Sequence, residues 1–195
     1  IRVSTNYGLV PQWDQPIINQ PEIGFLGFIV QRKQNVLHFL LQAKIEPGNL
    51  NVIQLSPTLQ ATRSNYTRVH KGRSPLYLEY FTGEKKVEIL VDQLQSEQGA
   101  RFYQKRNRNI IVEVDENEEL PVYENFVWAS LGQIKELLTY PNVVNMDTRT
   151  VISCIQYGNY SEKDLQLLSV FRLDTNLGHS DSFLYSVLSS DNHYN

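Results

Sequence analysis

The sequence is poor in cysteine, since Cys154 is the only one among 195 residues. A single thiol excludes an internal disulfide framework and any zinc site with several cysteine ligands. Such sparse use is typical of proteins in the reducing cytosol, so we expect a cytoplasmic protein. The sequence also lacks an apolar run near the ~20 residues that a bilayer-spanning helix needs, and we therefore expect no contact with membranes.

Neither sign of charge dominates the composition. The 18 basic and 21 acidic residues give a formal net charge of -3 and a pI near 5.8. A dedicated nucleic-acid binder carries a basic excess, so we expect no nucleic-acid partner. Ile1 begins the sequence without an initiator methionine and without the charged-then-apolar pattern of a secretory signal. We expect that the chain is trimmed at this end.

Cofactor-binding and metal-binding motifs are absent as well. The sequence contains no GxGxxG, P-loop, HExxH, GxSxG or CxxC pattern. We therefore expect neither a cofactor nor a bound metal ion. Any reaction must then depend on acid–base side chains and on contacts to phosphate.

Hydrophobic residues make up 41% of the sequence, with no repeat or linker, which predicts one domain with a sizeable core. Apolar, β-branched runs predict strands at residues 22–31, 36–45, 52–55, 109–114 and 151–155, the first of them broken at Gly24 and Gly27. A turn at Asn35 predicts that the first two strands form a hairpin. Apolar spacing of i, i+3, i+4, i+7 predicts a helix over residues 87–102. Capping patterns at Ser130 and Ser161 predict two more helices. This order of elements predicts a mixed α/β domain.

Residues 54–73 combine basic side chains with hydroxyl and amide neighbours and contain no acidic residue. Guanidinium and hydroxyl groups suit phosphate, so Arg63 and Arg68 are candidate phosphate ligands. The alternative is an exposed basic loop. A second basic group would complement the C-terminal end of the predicted helix 87–102 and consists of Arg101, Lys105, Arg106 and Arg108.

Polar side chains share one face of the predicted strand 36–45, because alternate residues of a strand project to the same side. They are His38, Gln42, Lys44 and, just beyond the strand, Glu46. They form either the floor of a pocket, with a base, a cation and a carboxylate, or an ordinary solvated sheet surface. Asp147 and Arg149 lie in the loop expected before strand 151–155. They either form a local ion pair or belong to a loop that recognises a sugar or a base.

Six stretches occur in an order and spacing that chance does not explain: QPIINQPEIG, HFLLQAKIEPGN, QLSPTLQATRSNYTRVH, YLEYF, LQSEQGARF and NVVNMDTRT. Through them, residues 13–155 closely resemble the NDP-hexose 2,3-dehydratase family. The resemblance implies dTDP-4-keto-6-deoxyglucose as substrate and a role in deoxysugar biosynthesis. It also implies a Nudix-like mixed sheet flanked by helices. Typical family members carry two related modules, whereas this sequence has one.

The sequence retains little of the metal-binding motif of Nudix hydrolases, R-E-x-x-x-E-E-x-G. With Gly99 set on the glycine of the motif, only Glu97 matches among the glutamates, and Ser96 replaces its neighbour. One carboxylate cannot assemble the oxygen cluster that Mg²⁺ needs. We therefore expect a Nudix-like fold without a functional Nudix box and without metal-assisted hydrolysis.

The implied reaction removes water across C2 and C3 of the sugar. A base takes the C3 proton, which is acidic beside the C4 ketone, and an acid protonates the departing C2 hydroxyl. From residue type and motif membership we predict that His38 or Tyr66 transfers protons, with Lys44 and Asn65 near the C4 oxygen. The predicted substrate-binding residues are Gln42, Glu46, Asn49, Gln60, Arg63, Arg68, Glu97, Asn107, Asp147 and Arg149.

An alternative function is a non-catalytic module that binds the nucleotide sugar and partners an active one. We expect a single module over residues 1–195, with its core at 13–155 and a helical extension at 160–190. A lone module would leave the apolar tail around Phe183, Leu184, Tyr185, Val187 and Leu188 uncovered. The sequence therefore predicts a homodimer that stands in for the two-module protein.

Overall fold

A computed structural model describes residues 1–63 and 74–155, which belong to one compact unit, Ile1–Ile155. The predicted helix capped by Ser161 lies outside the described residues. The strands are β1 Arg2–Ser4, β2 Gln12–Asp14, β3 Gly24–Lys33, β4 Val36–Ile45, β5 Ile53–Ser56, β6 Leu59–Ala61, β7 Glu88–Ser96, β8 Arg106–Val114 and β9 Phe126–Ser130. The helices are a short 3-10 helix Leu78–Tyr80, α1 Leu131–Leu137 and α2 Met146–Ser153.

A mixed sheet organises the described residues. Its strand order is β5-β4-β3-β8-β7, with β6 paired to β3 and β9 paired to β4, and β1 and β2 form a separate two-stranded sheet. The β3–β8 pair is parallel and the other pairs of the large sheet are antiparallel. The expected mixed α/β fold is confirmed. Among the helices that the structure describes, none is long and apolar enough to cross a membrane.

The hairpin of β3 and β4 forms as its sequence predicts. Gln34 and Asn35 both have positive φ, 50° and 63°, and connect the register pair Lys33 and Val36. Two residues with φ > 0 give the type I′ turn whose twist matches that of paired strands. This turn fixes which β4 side chains face each side of the sheet.

The core has two halves, one on each face of the sheet. On one face, Ile29 and Leu40 pack with Tyr77, Phe81 and Phe126. On the other face, residues of β3 and β4 pack against both helices, through Ile134 of α1 and Val151 of α2. Three consecutive β3 residues are fully buried because both faces of this central strand are covered: Phe28, Ile29 and Val30.

The predicted helix over residues 87–102 is wrong, because residues 88–96 form the edge strand β7. This strand pairs with β8 along its whole length, and a register shift lies between Ile89 and Val91. An extra residue in a strand moves the following side chains to the other face. Leu90 and Leu94 are four positions apart, a spacing that one face of a strand shares with one face of a helix, so it imitated a helix here.

The predicted strand 151–155 is also wrong, since this segment continues α2. Asn145 caps the helix, and its Oδ1 accepts a hydrogen bond from the Thr148 amide at 2.8 Å. Thr148, Val151 and Ile152 are buried on one side of the helix. Their spacing of i, i+3, i+4 is helical, and this tertiary packing overrides the strand preference of the β-branched pair.

Gly27 continues β3 without the break that the sequence predicts, and a side chain there would collide with Phe81. A Cβ built on Gly27 clashes with three atoms of the Phe81 ring. We expect Gly27→Ala to lower the free energy of unfolding by about 1–3 kcal/mol through overpacking. Urea unfolding measures the change.

Gly132→Ala in α1 is the matched control for Gly27→Ala. The nearest atom to a Cβ at Gly132 is the Ser130 Oγ at 3.8 Å, which is ordinary contact. Alanine favours helix over glycine by about 0.8–1.0 kcal/mol, so this variant is expected to gain stability. Equal stability of the Gly27 variant and the unsubstituted protein would contradict the close packing of Phe81 on β3.

Candidate functional site

Two adjoining cavities lie where the ends of several strands meet the start of α2. One, of about 250 Å³, has as polar lining residues Gln20, Lys44, Gln60, Thr62, Glu97, Lys105, Asn107 and Asp147. The other, of about 350 Å³, shares Gln60, Glu97, Phe102 and Asp147 with the first and adds Glu46, Asn49, Gln54, Gln98, Asn145 and Met146. Together these two cavities are the polar cleft.

Larger depressions occur elsewhere on the described surface, but those at Arg32, Arg108 and Tyr77 have no side-chain amides in their lining. A depression of about 510 Å³ lies beside Glu88 and Glu113. Its Arg32 already pairs with Glu113 at 3.2 Å. Each cavity of the polar cleft is smaller, but together they combine cations, carboxylates and amides on a partly buried surface. In this setting side chains acquire unusual chemistry.

Sheet register brings the cleft residues together. Gly24 of β3 lies opposite Asn107 of β8, and Leu26 lies opposite Gln60 of β6. A Cβ on Gly24 would lie 3.0 Å from the Ala61 carbonyl oxygen, so this position leaves little room for a side chain. The backbone therefore approaches closely at the wall from which Gln60 and Asn107 project.

Glu46 is the centre of a hydrogen-bond network. Its Oε1 lies 3.1 Å from the Lys44 Nζ and accepts from the Gln60 Nε2 at 2.9 Å, while its Oε2 accepts from the Asn49 Nδ2 at 3.0 Å. The Asn145 Nδ2 donates to the Gln60 Oε1 at 3.2 Å. Burial acts to raise the pKa of Glu46, but Lys44 and the amide donors together lower it. Glu46 is therefore ionised near neutral pH.

Asp147 behaves in the opposite way. Burial raises the pKa of this carboxyl to about 6, and the negative charges of Glu97 and Glu46 add to the shift, while Lys44 opposes it. Asp147 lines both cavities and is half-buried. A carboxyl with a pKa near 6 can hold or release a proton close to neutral pH, as a general acid or base requires.

Lys105 lines the smaller cavity and is buried, with 5% of its surface exposed. Its Nζ donates to the Glu22 carbonyl oxygen at 2.6 Å, and its own carbonyl oxygen accepts from the Glu97 amide at 2.9 Å. Among the salt bridges of residues 1–63 and 74–155, none involves Lys105. The cleft therefore contains a cation without a carboxylate partner in the described part of the chain.

Glu97 and Asn107 form the wall beside Lys105. The Asn107 Nδ2 donates to the Glu97 Oε2 at 2.5 Å. This bond fixes one carboxylate oxygen, while the residue itself remains on the lining of both cavities. Glu97 can therefore accept a further hydrogen bond from a ligand hydroxyl through its other oxygen.

The structure brings together half of the predicted site residues. They are Lys44, Glu46, Asn49, Gln60, Glu97, Asn107 and Asp147. Arg63 is exposed and follows Thr62, which lines the smaller cavity. The predicted residues Asn65, Tyr66 and Arg68 lie outside the described residues.

His38 does not line the polar cleft, so the structure does not place it beside Lys44 on one pocket floor. The two residues are six positions apart on β4, which corresponds to ~20 Å at ~3.3 Å per residue. The fully buried Leu40 lies between them on the same face. The His38 Nδ1 is 2.9 Å from the Val36 carbonyl oxygen at the hairpin end of the sheet. Gln42, opposite Ser56, does not line the cleft.

Arg149 is exposed on α2 and does not line the cleft. The expected loop before a strand is therefore wrong, since Asp147 and Arg149 lie in the first turn of a helix. The local ion pair between them is absent from the salt bridges of the described residues. Asp147 and Arg149 thus have separate environments.

The residues that align with the Nudix box do not form a helix. Ser96 is the last residue of β7, and Glu97 follows it directly. The second basic group lies in the loop after β7 and in the first residues of β8, and not at a helix end, so its predicted role there is wrong. Within the described ranges, no group of three or more His, Cys, Asp or Glu residues is arranged to hold a metal ion.

Sequence reasoning missed Lys105, Gln54 and Asn145 as cleft residues. Lys105 was hidden in a basic run, and its burial depends on residues 15–22, which cross the loop after β7. The Ile18 amide donates to the Arg101 carbonyl oxygen at 2.7 Å, and the Tyr103 amide donates back to Ile18 at 2.9 Å. A contact between segments so far apart in sequence leaves no local signal.

Solved structures with a similar fold include hydrolases. An Ap4A hydrolase from C. elegans is 11% identical, with a TM-score of 0.41 over 69% of this chain and 95% of that chain. A Nudix hydrolase from M. smegmatis is 13% identical, with a TM-score of 0.41 over 76% of this chain and 92% of that chain.

Sequence comparison identifies the family. The family model for NDP-hexose 2,3-dehydratase matches residues 1–155. Proteins named dTDP-4-dehydro-6-deoxy-alpha-D-glucopyranose 2,3-dehydratase are 59% identical over 157 residues in Saccharopolyspora spinosa and 48% identical over 164 residues in Amycolatopsis orientalis. These matches cover 80% and 82% of this chain but 32% and 34% of the relatives, so the chain spans about a third of their length. The chain belongs to the NDP-hexose 2,3-dehydratase family.

Proposed function

We propose that this chain catalyses loss of water across C2 and C3 of dTDP-4-keto-6-deoxyglucose, a lyase reaction of deoxysugar biosynthesis in the cytoplasm. Membership of the dehydratase family supports the reaction, and the names of the relatives support the substrate. The observation that carries the proposal is Asp147, whose pKa is raised to about 6 in a cleft of hydrogen-bonding groups.

The reaction proceeds through an enolate. Removal of the C3 proton leaves an electron pair that is delocalised onto the C4 oxygen. This pair then forms the C2–C3 double bond as the C2 hydroxyl takes a proton and leaves as water. The resulting enol tautomerises to a 3,4-diketo-2,6-dideoxy sugar. No electrons are gained or lost overall, so the step needs acid–base groups and a stabiliser for the C4 oxyanion.

The polar cleft suits the sugar better than the diphosphate. Glu46 and Glu97 line it, and carboxylates accept hydrogen bonds from sugar hydroxyls but repel phosphate oxygens. Thr62 lines the smaller cavity, and the next residue, Arg63, is exposed and cationic. We therefore assign the sugar to the cleft and the diphosphate to the side of Arg63, with Arg68 as a further phosphate ligand.

Asp147 is the proton donor to the C2 hydroxyl in this proposal. Its burial beside two carboxylates keeps it protonated to a higher pH than an ordinary aspartate. His38 takes no part, because it lies at the opposite end of β4. Tyr66, outside the described residues, stays the predicted base at C3, and Asn65 a predicted contact of the C4 oxygen.

A second candidate function is a nucleotide-sugar-binding module without catalytic activity. The observation that favours it is length, since the chain spans about a third of its dehydratase relatives. The hydrogen-bond network around Glu46 would serve sugar binding equally well in such a module.

Incubation of the purified chain with dTDP-4-keto-6-deoxyglucose in D₂O separates the two functions. Catalysis predicts exchange of the C3 hydrogen, seen by NMR, and release of the diketo sugar, which a reductase traps for mass spectrometry. The binding module predicts dTDP binding by calorimetry with neither exchange nor product. Release of nucleoside monophosphate that depends on Mg²⁺ would contradict both functions.

We also propose that the chain forms a homodimer. The edge strand β7 supports this, since among the described residues it pairs with β8 alone and it exposes Ile89, Leu90 and Leu94. Light scattering at micromolar concentration is expected to give twice the chain mass of 22.6 kDa. A mass of 22.6 kDa itself would contradict the dimer.

A further inference from the structure

Lys105 is buried, and its one side-chain hydrogen bond in the described residues leaves part of its donor capacity unused. A lysine ammonium has three hydrogen-bond donors, and a buried charge is normally paired. In the described residues, the Lys105 Nζ uses one donor, on the Glu22 carbonyl oxygen at 2.6 Å, and joins no salt bridge. A carbonyl oxygen does not neutralise a full positive charge. The ammonium therefore has donors and charge left for an anionic group.

Lys44, the other lysine of the smaller cavity, differs in this respect. Its Nζ lies 3.1 Å from the Glu46 Oε1, and the two side chains are both about 70% buried. The charge of Lys44 is thus balanced by its own neighbour. Of the two lysines that line this cavity, Lys105 is the one whose charge is available to a ligand.

The cavity limits which anion Lys105 can hold. Glu97 lines the same space of about 250 Å³, and its carboxylate would repel the negative oxygens of a diphosphate. A ketone oxygen is neutral when it binds and becomes negative only during the reaction. A ligand of this kind enters beside carboxylates without penalty and then gains from a nearby cation.

We propose that the Lys105 ammonium binds the C4 carbonyl oxygen of the 4-keto sugar and stabilises the enolate, an inference that rests on the proposed function. When the C3–H bond breaks, its electron pair moves onto the C4 oxygen, and Lys105 stabilises that charge by hydrogen bonding while it keeps its own proton. The charge returns to carbon when the C2 hydroxyl leaves as water. Lys105, in place of Lys44, then has the role that the sequence predicted for Lys44.

Burial suits Lys105 to this role. Residues 15–22 cover it, tied down by the pairing of Ile18 with Phe102 and by the Gln15 Nε2 bond to the Ala100 carbonyl oxygen at 3.0 Å. The Glu22 carbonyl oxygen holds the ammonium in place. A fixed donor in a site with little water stabilises developing charge more strongly than a mobile surface lysine.

Lys105→Gln tests the proposal, because glutamine keeps a donor for the Glu22 carbonyl oxygen but removes the charge. C3 hydrogen exchange in D₂O and dehydration are both expected to fall by about 100-fold or more. The dissociation constant for dTDP alone is expected to change by less than about threefold. The matched control is Lys86→Gln, an exposed lysine outside the cleft, which is expected to leave all three quantities unchanged.

A second measurement keeps this test independent of turnover. Calorimetry compares the affinity for dTDP-4-keto-6-deoxyglucose with that for dTDP. In the unsubstituted chain the keto sugar is expected to bind more tightly, and Lys105→Gln should remove that gain. If the chain neither exchanges nor dehydrates, the proposed function fails, but loss of the gain still supports Lys105 as the C4 contact.

Three results would overturn the proposal. One is a rate of C3 hydrogen exchange in Lys105→Gln that lies within about tenfold of the rate in the unsubstituted chain. Another is an affinity gain for the keto sugar that survives the substitution. The third is loss of dTDP binding by the same factor as turnover, which would make Lys105 a phosphate ligand. If Lys105→Gln does not fold, Lys105→Met and Lys105→Arg replace it. Equal rates of C3 hydrogen exchange in these two variants would show that the charge of Lys105 has no role, and would overturn the proposal.

Discussion

Asp147→Asn is expected to lower the rate of dehydration by about 10²–10⁴-fold, the usual contribution of a general acid. Asparagine has nearly the same shape but no acidic proton, so the C2 hydroxyl would have to leave unprotonated. C3 hydrogen exchange should persist, because the base acts before the acid. The measurement is NMR of exchange and of product in the same D₂O sample.

The pH dependence provides a second readout of Asp147. The donor must be protonated, and its pKa is raised to about 6, so the rate of dehydration should fall as pH rises through that value. In Asp147→Asn this limb of the profile should disappear. Asp115→Asn, an exposed carboxyl whose Oδ1 accepts from the Asn117 amide at 2.9 Å, is the matched control with an unchanged profile. A dehydration rate for Asp147→Asn within about threefold of the unsubstituted chain would contradict the role.

The same substitution is expected to stabilise the fold at alkaline pH. The pKa of Asp147 is about 6 in the folded chain and 3.8 in its reference state, so the folded state binds this proton more tightly. Its contribution to stability is complete below pH 3.8 and is lost as pH rises through 6. Asp147→Asn should therefore gain up to about 3 kcal/mol at pH 8, at about 1.4 kcal/mol per pKa unit, and little near pH 4.

Urea unfolding at pH 5 and pH 8 measures this gain. Asp92→Asn is a control of opposite sign, because two hydrogen bonds from Arg108, at 2.6 and 2.7 Å, lower the pKa of Asp92 despite some burial. Asparagine at position 92 should destabilise the fold near neutral pH and lose this effect in acid. A stability of Asp147→Asn that does not depend on pH relative to the unsubstituted chain would contradict the raised pKa.

The elements that sequence predicted correctly are those with local signals. The turn at Asn35 fixes its own hairpin, and the Ser130–Gln133 capping box starts α1 through reciprocal hydrogen bonds. The errors occurred where distant packing decides. Strand β7 exists because it pairs with β8, and α2 exists because Val151 is buried against the sheet.

The site residues also divide into those with local signals in the sequence and those that depend on distant packing. Strand parity placed Lys44 and Glu46 on one side, and the structure keeps them together at 3.1 Å. Parity alone could not show that His38 lies too far along β4, because alternation says nothing of distance. Lys105 could not be found, since its burial comes from residues some eighty positions earlier in the chain.

The covering of Lys105 by residues 15–22 has a kinetic consequence. The bonds that close this contact, from Gln15 to Ala100 and from Lys105 to Glu22, join residues 85 and 83 positions apart. Contacts between segments so far apart in sequence cost loop entropy before they stabilise the chain, so they form late in folding. The β3–β4 hairpin needs no such closure. A refolding chain should therefore acquire protected amides in this hairpin before it acquires a ligand-competent cleft.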